Sequence, residues 1–179
     1  MKIQDNFLDT ETFNNIQSLM MYNDFDWYYS PVITDEKLNR KEFQFNHIFY
    51  LNGSPRNSYS VVAPIVKKIN PFCLVRIKAN LLTITPNIKE YDFHTDYKDK
   101  QNLTTAIFYI NTCNGYTLFK DGTKIESVAN RLISFDSSLE HTGTSCTDEN
   151  IRVVINFNYF FTFFFCKNVI TISIKINFI

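Results

Sequence analysis

The second half of the chain is a succession of short strand-like segments, and this pattern restricts the possible folds more than any other feature. Apolar and polar residues alternate in segments that recur about every ten residues after Pro71. Turn dipeptides such as Asn114-Gly115 and Asp121-Gly122 separate them. The predicted strands cover residues 72–85, 88–94, 103–111, 116–119, 131–135 and 152–159.

The first seventy residues have a different pattern, in which helical periodicity dominates. A short strand over residues 1–7 precedes Asp9 and Thr10, either of which can cap a helix. The predicted buried side of that helix consists of Phe13, Ile16, Leu19 and Met20. A strand is predicted over 43–51, ending at the turn Asn52-Gly53, and a second helix over 57–69.

Two early helices followed by many short strands predict a mostly β protein with N-terminal helices. The natural architecture is a jelly roll, also called a double-stranded β-helix, of antiparallel strands. We expect a single domain over residues 1–160, with a helix-rich part at 1–70 and the jelly-roll core at 71–160. Residues 161–179 are predicted to be an atypical extension, with an added edge strand as the alternative.

The composition predicts a globular protein without a broad surface for nucleic acid. Apolar residues make up 45% of the 179 residues, and eighteen basic residues balance eighteen acidic ones. A net charge of zero argues against a partner that is bound through its phosphates. The N-terminus lacks the apolar core of a signal peptide, and polar residues interrupt the apolar C-terminus, so no membrane segment is predicted.

The four cysteines are far apart in the sequence and show no C-x-x-C spacing: Cys73, Cys113, Cys146 and Cys166. This distribution predicts reduced thiols rather than a disulfide framework or a zinc site. The expected location is therefore the cytoplasm, or the host cytoplasm if the gene is viral.

His94 and Asp96 form an H-x-D pair in a predicted strand, where residues i and i+2 project to the same side and Thr95 faces away. A chance pair of this kind is expected about 0.2 times in such a chain, so the pair alone is weak evidence. His141, on a later strand, can complete a set of two imidazoles and one carboxylate. Such a set leaves open positions on an octahedral iron. His47 is interpreted as a partly exposed strand residue.

Arg152 begins an apolar strand in which Arg152, Val154 and Asn156 share one face. An arginine that points into a β-sandwich is costly unless it meets an anion, and the carboxylate of a bound acid would satisfy it through a bidentate pair. The alternative is a strand-end arginine that pairs with a surface acid such as Glu149.

These residues together resemble the 2-oxoglutarate- and Fe(II)-dependent dioxygenases, in particular the prolyl 4-hydroxylase-like branch. Small members of this type are common in phage and marine-microbial genomes. The resemblance covers about residues 1–160 and rests on the segments Tyr91-Asp92-Phe93-His94-Thr95-Asp96, Thr105-Ala106-Ile107-Phe108-Tyr109-Ile110-Asn111 and Asn130-Arg131-Leu132-Ile133-Ser134-Phe135-Asp136, with His141 and Arg152.

The resemblance implies a role for each matching position. His94, Asp96 and His141 match the iron ligands, and Arg152 matches the residue that pairs with the distal carboxylate of 2-oxoglutarate. Tyr109 matches a tyrosine that assists this carboxylate, and Asn80 an asparagine near the cosubstrate. Where Leu82 stands, the family often has a tyrosine, which puts one cosubstrate contact in doubt.

The implied function is hydroxylation of a peptide residue, a proline among the candidates, or of a small molecule. Iron, 2-oxoglutarate and dioxygen take part, succinate and carbon dioxide are released, and ascorbate is a further candidate cofactor. One alternative is a non-catalytic jelly-roll binding module or virion structural module, which has no need of an inward arginine near three metal ligands. A cupin-type isomerase on the same scaffold would usually have more histidines than the three present.

Overall fold

The computed structural model describes residues 1–22, 25–33, 42–97 and 102–161. In these ranges the chain forms two helices, α1 (Thr10–Met21) and α2 (Tyr59–Ile69). The strands are β1 (Lys2–Gln4), β2 (Tyr28–Ser30), β3 (Gln44–Leu51), β4 (Ser54–Pro55), β5 (Cys73–Thr83), β6 (Thr104–Tyr109), β7 (Cys113–Phe119), β8 (Lys124–Ser127), β9 (Leu132–Asp136), β10 (His141–Gly143) and β11 (Ile151–Phe160).

The strands form one large sheet and one small sheet, and all of the strand pairs are antiparallel. The large sheet has the order β1-β9-β6-β11-β5-β3-β2, with β4 paired to β3, and the small sheet has the order β10-β7-β8. The prediction of a mostly antiparallel β fold with early helices is therefore confirmed.

The two central strands of the large sheet, β5 and β11, separate the helical side of the molecule from the interior between the sheets. One face of these strands packs with the two helices in a single apolar core. Alternate residues form this face, among them Ile77, Ala79, Val153 and Ile155. The residues between them face the other way, because side chains alternate across a strand. These residues supply one wall of the cavity described below.

Helix α1 begins as the sequence predicts. The Asp9 carboxylate caps the helix by accepting a hydrogen bond from the Thr12 amide at 2.9 Å. The side chains of Phe13, Ile16 and Met20 are buried against the large sheet. Leu19 was predicted to be buried with them, but it is 38% exposed, because the contact surface of the helix is narrower than the apolar stripe in the sequence.

Other element predictions differ from the structure at several places. The segment 88–94 is not a strand, since only Glu90 and His94 make isolated bridges to residues 144 and 141. Strand β8 was not predicted, and α2 begins at Tyr59 rather than at residue 57. Of the predicted extension at 161–179, only Phe161 lies within the described residues.

Cys113 and Cys146 are free thiols, as predicted, whereas Cys73 is disulfide-bonded, contrary to the prediction of four reduced thiols. Cys166 lies outside the described residues. None of the helices in the described part of the chain is long and apolar enough to cross a membrane.

Candidate metal centre

His94, Asp96 and His141 come together at the mouth of the space between the two sheets. One ligand atom from each side chain lies within 4.8 Å of the others. The two histidines face each other because their backbones pair directly: the His94 amide donates to the His141 carbonyl at 3.0 Å, and the His141 amide donates to the His94 carbonyl at 2.9 Å. A single antiparallel bridge thus sets the spacing of both imidazoles, whose ring centroids are 4.7 Å apart.

Each imidazole is oriented by a hydrogen bond to a backbone carbonyl. The Nδ1 atom of His141 donates to the Leu139 carbonyl at 2.9 Å, and that of His94 is 3.4 Å from the Asp92 carbonyl. Because a carbonyl only accepts, these contacts place the proton on Nδ1 and leave Nε2 with a free lone pair. Histidines that bind a metal through one ring nitrogen typically donate a hydrogen bond from the other ring nitrogen in this way.

The Asp96 carboxylate is held by three donors from the large sheet. Its Oδ1 accepts from Arg76 at 2.9 Å, and its Oδ2 accepts from Thr105 at 2.8 Å and from Asn158 at 2.9 Å. Asn158 also accepts from Arg76 Nε at 3.0 Å. A carboxylate has about four lone-pair positions, so one remains for a further partner.

The electrostatics of this site favour an ionised Asp96 carboxylate and a neutral His94 imidazole. Burial by itself raises the pKa of Asp96, but the Arg76 guanidinium and the neighbouring donors outweigh burial and hold this pKa below its ordinary value. Burial lowers the pKa of His94, and the nearby His141 lowers it further. These are the protonation states that a metal ion requires of its ligands.

The three side chains border a cavity of about 770 Å³ that extends between the sheets to Arg152. Alternate residues of β5 and β11 line one wall, as the strand geometry requires: Arg76, Lys78, Asn80, Leu82, Arg152, Val154 and Asn156. Thr95 also lines this cavity, whereas the predicted strand would have placed its side chain on the opposite face. The prediction was wrong because residues 94–96 do not form a regular strand.

Arg152 is only 3% exposed and has no carboxylate partner among the residues that the structure describes. Its Nε donates to the Ser127 hydroxyl at 2.7 Å, whereas its two terminal nitrogens make only long contacts of 3.4 Å, to the Thr144 carbonyl and the Thr117 hydroxyl. The pairing with Glu149, the alternative considered for this arginine, is not formed. The cation therefore faces the cavity with its terminal nitrogens poorly satisfied.

The other two predicted cosubstrate residues lie in different positions. Asn80 lines the cavity, and its Oδ1 is buried without a hydrogen-bond partner, as is the Oδ1 of Asn156. Tyr109 does not line the cavity. Its ring lies 5.8 Å from the Arg152 guanidinium carbon, and its hydroxyl donates to Thr117 at 2.8 Å.

Sequence reasoning missed Arg76, Lys78 and Asn158, although alternation along the two strands could have identified them. Arg76 and Lys78 precede Asn80 at intervals of two on β5, and Asn158 follows Asn156 on β11. His47 is buried rather than partly exposed. Its ring lies 4.5 Å from the ring of Phe25, its Nδ1 is 2.7 Å from the Asp26 carbonyl, and it does not line the cavity.

Comparison with known proteins gives matches at the level of structure. No family model matches this chain, and no curated protein is significantly similar to it in sequence. A prolyl hydroxylase from Trichoplax adhaerens, solved with a peptide fragment of the hypoxia-inducible factor oxygen degradation domain, superposes with a TM-score of 0.62. The identity is 17%, over 96% of this chain and 86% of that one.

Two further hydroxylases have similar structures. A viral collagen prolyl hydroxylase from Paramecium bursaria Chlorella virus-1, in its 2-oxoglutarate complex, gives a TM-score of 0.57 at 16% identity over 90% of this chain and 96% of that one. A prolyl 4-hydroxylase from Pseudomonas putida gives 0.59 at 14% identity over 89% and 91%. The chain has the jelly-roll fold of the prolyl 4-hydroxylases and other 2-oxoglutarate/Fe(II) oxygenases.

Proposed function

We propose that this protein is an Fe(II)- and 2-oxoglutarate-dependent dioxygenase that hydroxylates a peptide or a small molecule. The observation that carries the proposal is the cavity that contains both the His94, Asp96 and His141 cluster and the uncompensated Arg152. Neither feature alone would suffice, since buried histidines and buried arginines also occur in proteins that are not enzymes.

The donor set fits ferrous iron. His94 and His141 would each bind through the Nε2 that their backbone contacts leave free, and Asp96 would bind through its remaining lone pair. Two imidazoles and one carboxylate are the protein ligands of many non-haem iron oxygenases, whereas closed structural zinc sites use four protein ligands. With 2-oxoglutarate and dioxygen, bound iron would supply the oxidation of a C–H bond to an alcohol, with release of succinate and carbon dioxide.

The cavity also fits a dicarboxylic acid. A carboxylate at the terminal nitrogens of Arg152 would convert two contacts of 3.4 Å into charge-assisted hydrogen bonds in a site with little water. Asn80 would supply an amide along the cavity wall. Tyr109 would act through Thr117, which does line the cavity, rather than by direct contact.

The substrate is proposed only as a class. Prolyl residues are favoured by the fold neighbours, one of which was solved with a peptide bound. Ascorbate is proposed as a reductant that restores the ferrous state. A cytoplasmic location is supported by the free thiols of Cys113 and Cys146 and opposed by the disulfide at Cys73.

The test is succinate formation from 2-oxoglutarate by the purified protein with Fe(II) and ascorbate, without added substrate. We expect slow turnover by the wild-type protein and none by His94→Ala or Asp96→Ala. Asp121→Asn, a change at an exposed turn carboxylate outside the cavity, is the matched control and should behave as wild type. Equal succinate signals from wild type and His94→Ala would overturn the proposal.

A further inference from the structure

A second group of side chains of the metal-ligand type lies outside the cavity and has no part in the proposed oxygenase chemistry. Cys113, Cys146 and Asp148 each place one ligand atom within 4.8 Å of the other two. Both thiols are buried and free, and Asp148 is exposed. We propose that this dithiol cluster, consisting of Cys113, Cys146 and Asp148, binds a thiophilic divalent cation of the zinc type.

The frame around the dithiol cluster is fixed without any cation. The Asn114 amide donates to both oxygens of Asp148, at 3.0 and 2.9 Å. The Asn114 side chain donates to the Thr147 hydroxyl at 2.7 Å and accepts from the Thr147 amide at 3.0 Å. The residue after Cys113 is thereby locked to the two residues after Cys146, which reduces the ordering cost of binding.

The ligand types select the class of cation. Two sulfur donors favour zinc and similar soft ions over magnesium or calcium, which prefer oxygen ligands. Three protein ligands leave a fourth tetrahedral position for water, and the exposed Asp148 provides a route from solvent. Sequence spacing gave no sign of this site, because the ligands come from β7 and from the segment after β10, which meet only in the folded protein.

The dithiol cluster is independent of the His94, Asp96 and His141 group, with which it shares no residue. Two residues that are close to its ligands in the sequence, Gly115 and Ser145, pack around the side chain of Arg152. Gly115, two residues after Cys113, and Ser145, immediately before Cys146, lie so close to each other that a Cβ on Gly115 would stand 2.7 Å from the Ser145 carbonyl and 2.6 Å from Arg152 Cδ. A cation there would therefore brace the wall behind the arginine.

The test uses the full-length chain with Cys73→Ser and Cys166→Ser, so that Cys113 and Cys146 are the only cysteines left of the four. Cadmium is the probe, and the readout is the ultraviolet charge-transfer absorption of thiolate–cadmium bonds. A cation at the histidine group cannot produce this band, because that group contains no sulfur. We expect a band that saturates at one cadmium per chain, and its absence in the reduced protein would overturn the proposal.

Variants then assign the ligands. Cys113→Ser and Cys146→Ser should each abolish or strongly weaken the band. Asp148→Asn keeps an oxygen that can accept from Asn114 and should weaken cadmium binding at least tenfold. Asp121→Asn, at another exposed carboxylate that accepts from a backbone amide of its own turn, should bind as tightly as the parent. Equal affinities of the Asp148→Asn and Asp121→Asn proteins would contradict the proposed ligand set.

A second measurement covers the case in which a buried serine prevents folding. In a His94→Ala background, zinc should raise the midpoint of thermal unfolding of the chain more than that of its Asp148→Asn derivative. The thiols of the Cys73→Ser, Cys166→Ser chain, purified in air, are also counted in denaturant. Both remaining cysteines, Cys113 and Cys146, should be reactive. A count of zero would mean that the pair forms a disulfide, and the metal site would be rejected.

Discussion

Arg152 is the residue whose environment says most about a missing partner. Desolvation in the protein interior lowers the pKa of its guanidinium, which records an unfavourable environment for the charge. A buried cation without a counter-ion costs several kcal/mol, and proteins rarely retain one without a use. An anion that arrives from outside would convert this cost into binding energy.

Replacing this residue should separate cosubstrate binding from metal binding. We expect Arg152→Ala to weaken 2-oxoglutarate binding by about 2–5 kcal/mol, the usual cost of truncating a buried charge partner. Mn(II) binding at the histidine group should change little. Calorimetry with Mn(II) in place of iron measures both affinities, and Arg56→Ala, an exposed arginine, is the control. Equal loss of both affinities would show that Arg152 is structural.

Gly115 lies where only a hydrogen atom fits between the backbone and the side chain of Arg152. A methyl group there would stand 2.6 Å from Arg152 Cδ and 2.7 Å from the Ser145 carbonyl, distances that force a shift. Gly115→Ala should therefore cost about 1–3 kcal/mol of stability through overpacking and should weaken 2-oxoglutarate binding by displacing the guanidinium. Gly143→Ala, whose methyl would meet Arg152 Nη1 at an ordinary 3.4 Å, is the control for urea unfolding. Identical effects of the two changes would contradict this explanation.

At the scale of elements, alternation along the chain predicted what depends on one strand alone. The shared face of Arg152, Val154 and Asn156 followed from the period of two. The segment around His94 could not be predicted in this way, because its pairing consists of single bridges rather than a ladder. The salt bridge between Arg76 and Asp96 forms only because β5 and the segment around residue 96 pack side by side. No local sequence pattern predicts that contact.

Asn130 connects the start of α1 to the turn before β9. It has a φ of 63°, and its side chain donates to the Leu8 carbonyl at 2.9 Å and accepts from the Leu8 amide at 2.8 Å. Asn130→Ala should cost about 1–3 kcal/mol for each backbone group left unsatisfied. Asn6→Ala, at φ 50° and without a side-chain hydrogen bond within the described residues, controls for the backbone conformation. Urea unfolding measures both, and equal losses would assign the effect to the backbone alone.

Strand β1 is held at its end by a charge pair that should respond to acid. The hydrogen bond from Arg131 Nε to Asp5 Oδ1, 2.5 Å long, holds the pKa of Asp5 below the ordinary value of 3.8. Because the folded pKa is the lower one, the stabilisation is present above pH 3.8 and is lost as the pH falls through the folded pKa. Asp5 is 53% exposed, so the contribution is about 0–1 kcal/mol.

The comparison of wild type with Asp5→Asn in urea at a series of pH values measures this contribution. We expect a small advantage for the wild-type protein at neutral pH that disappears in acid. An advantage that persists below the folded pKa would mean that the carboxylate charge is not its source.

For the whole molecule, the candidate ligands add connections between the two sheets to the side-chain hydrogen bonds already present, such as Arg152 to Ser127 and Tyr109 to Thr117. His141 lies on the small sheet, whereas Arg152 lies on the large sheet. Mn(II) should stabilise the fold, and 2-oxoglutarate at a hundred times its Kd should add about 2.7 kcal/mol. In Arg152→Ala the increment from the metal should remain and that from 2-oxoglutarate at the same concentration should fall below about 1 kcal/mol, as measured by thermal unfolding. If 2-oxoglutarate stabilised Arg152→Ala as much as wild type, the cosubstrate would have to bind at a site away from Arg152.

The bond between Asp96 and Asn158 joins residues that are 62 positions apart in the sequence. Contacts of this range form slowly, because the intervening chain must lose its freedom before the contact repays that loss. The carboxylate reaches its place only when β11 has been inserted between β5 and β6, at the centre of the large sheet. During refolding, ordered metal binding should therefore be gained in the last phase, together with the final burial of aromatic side chains.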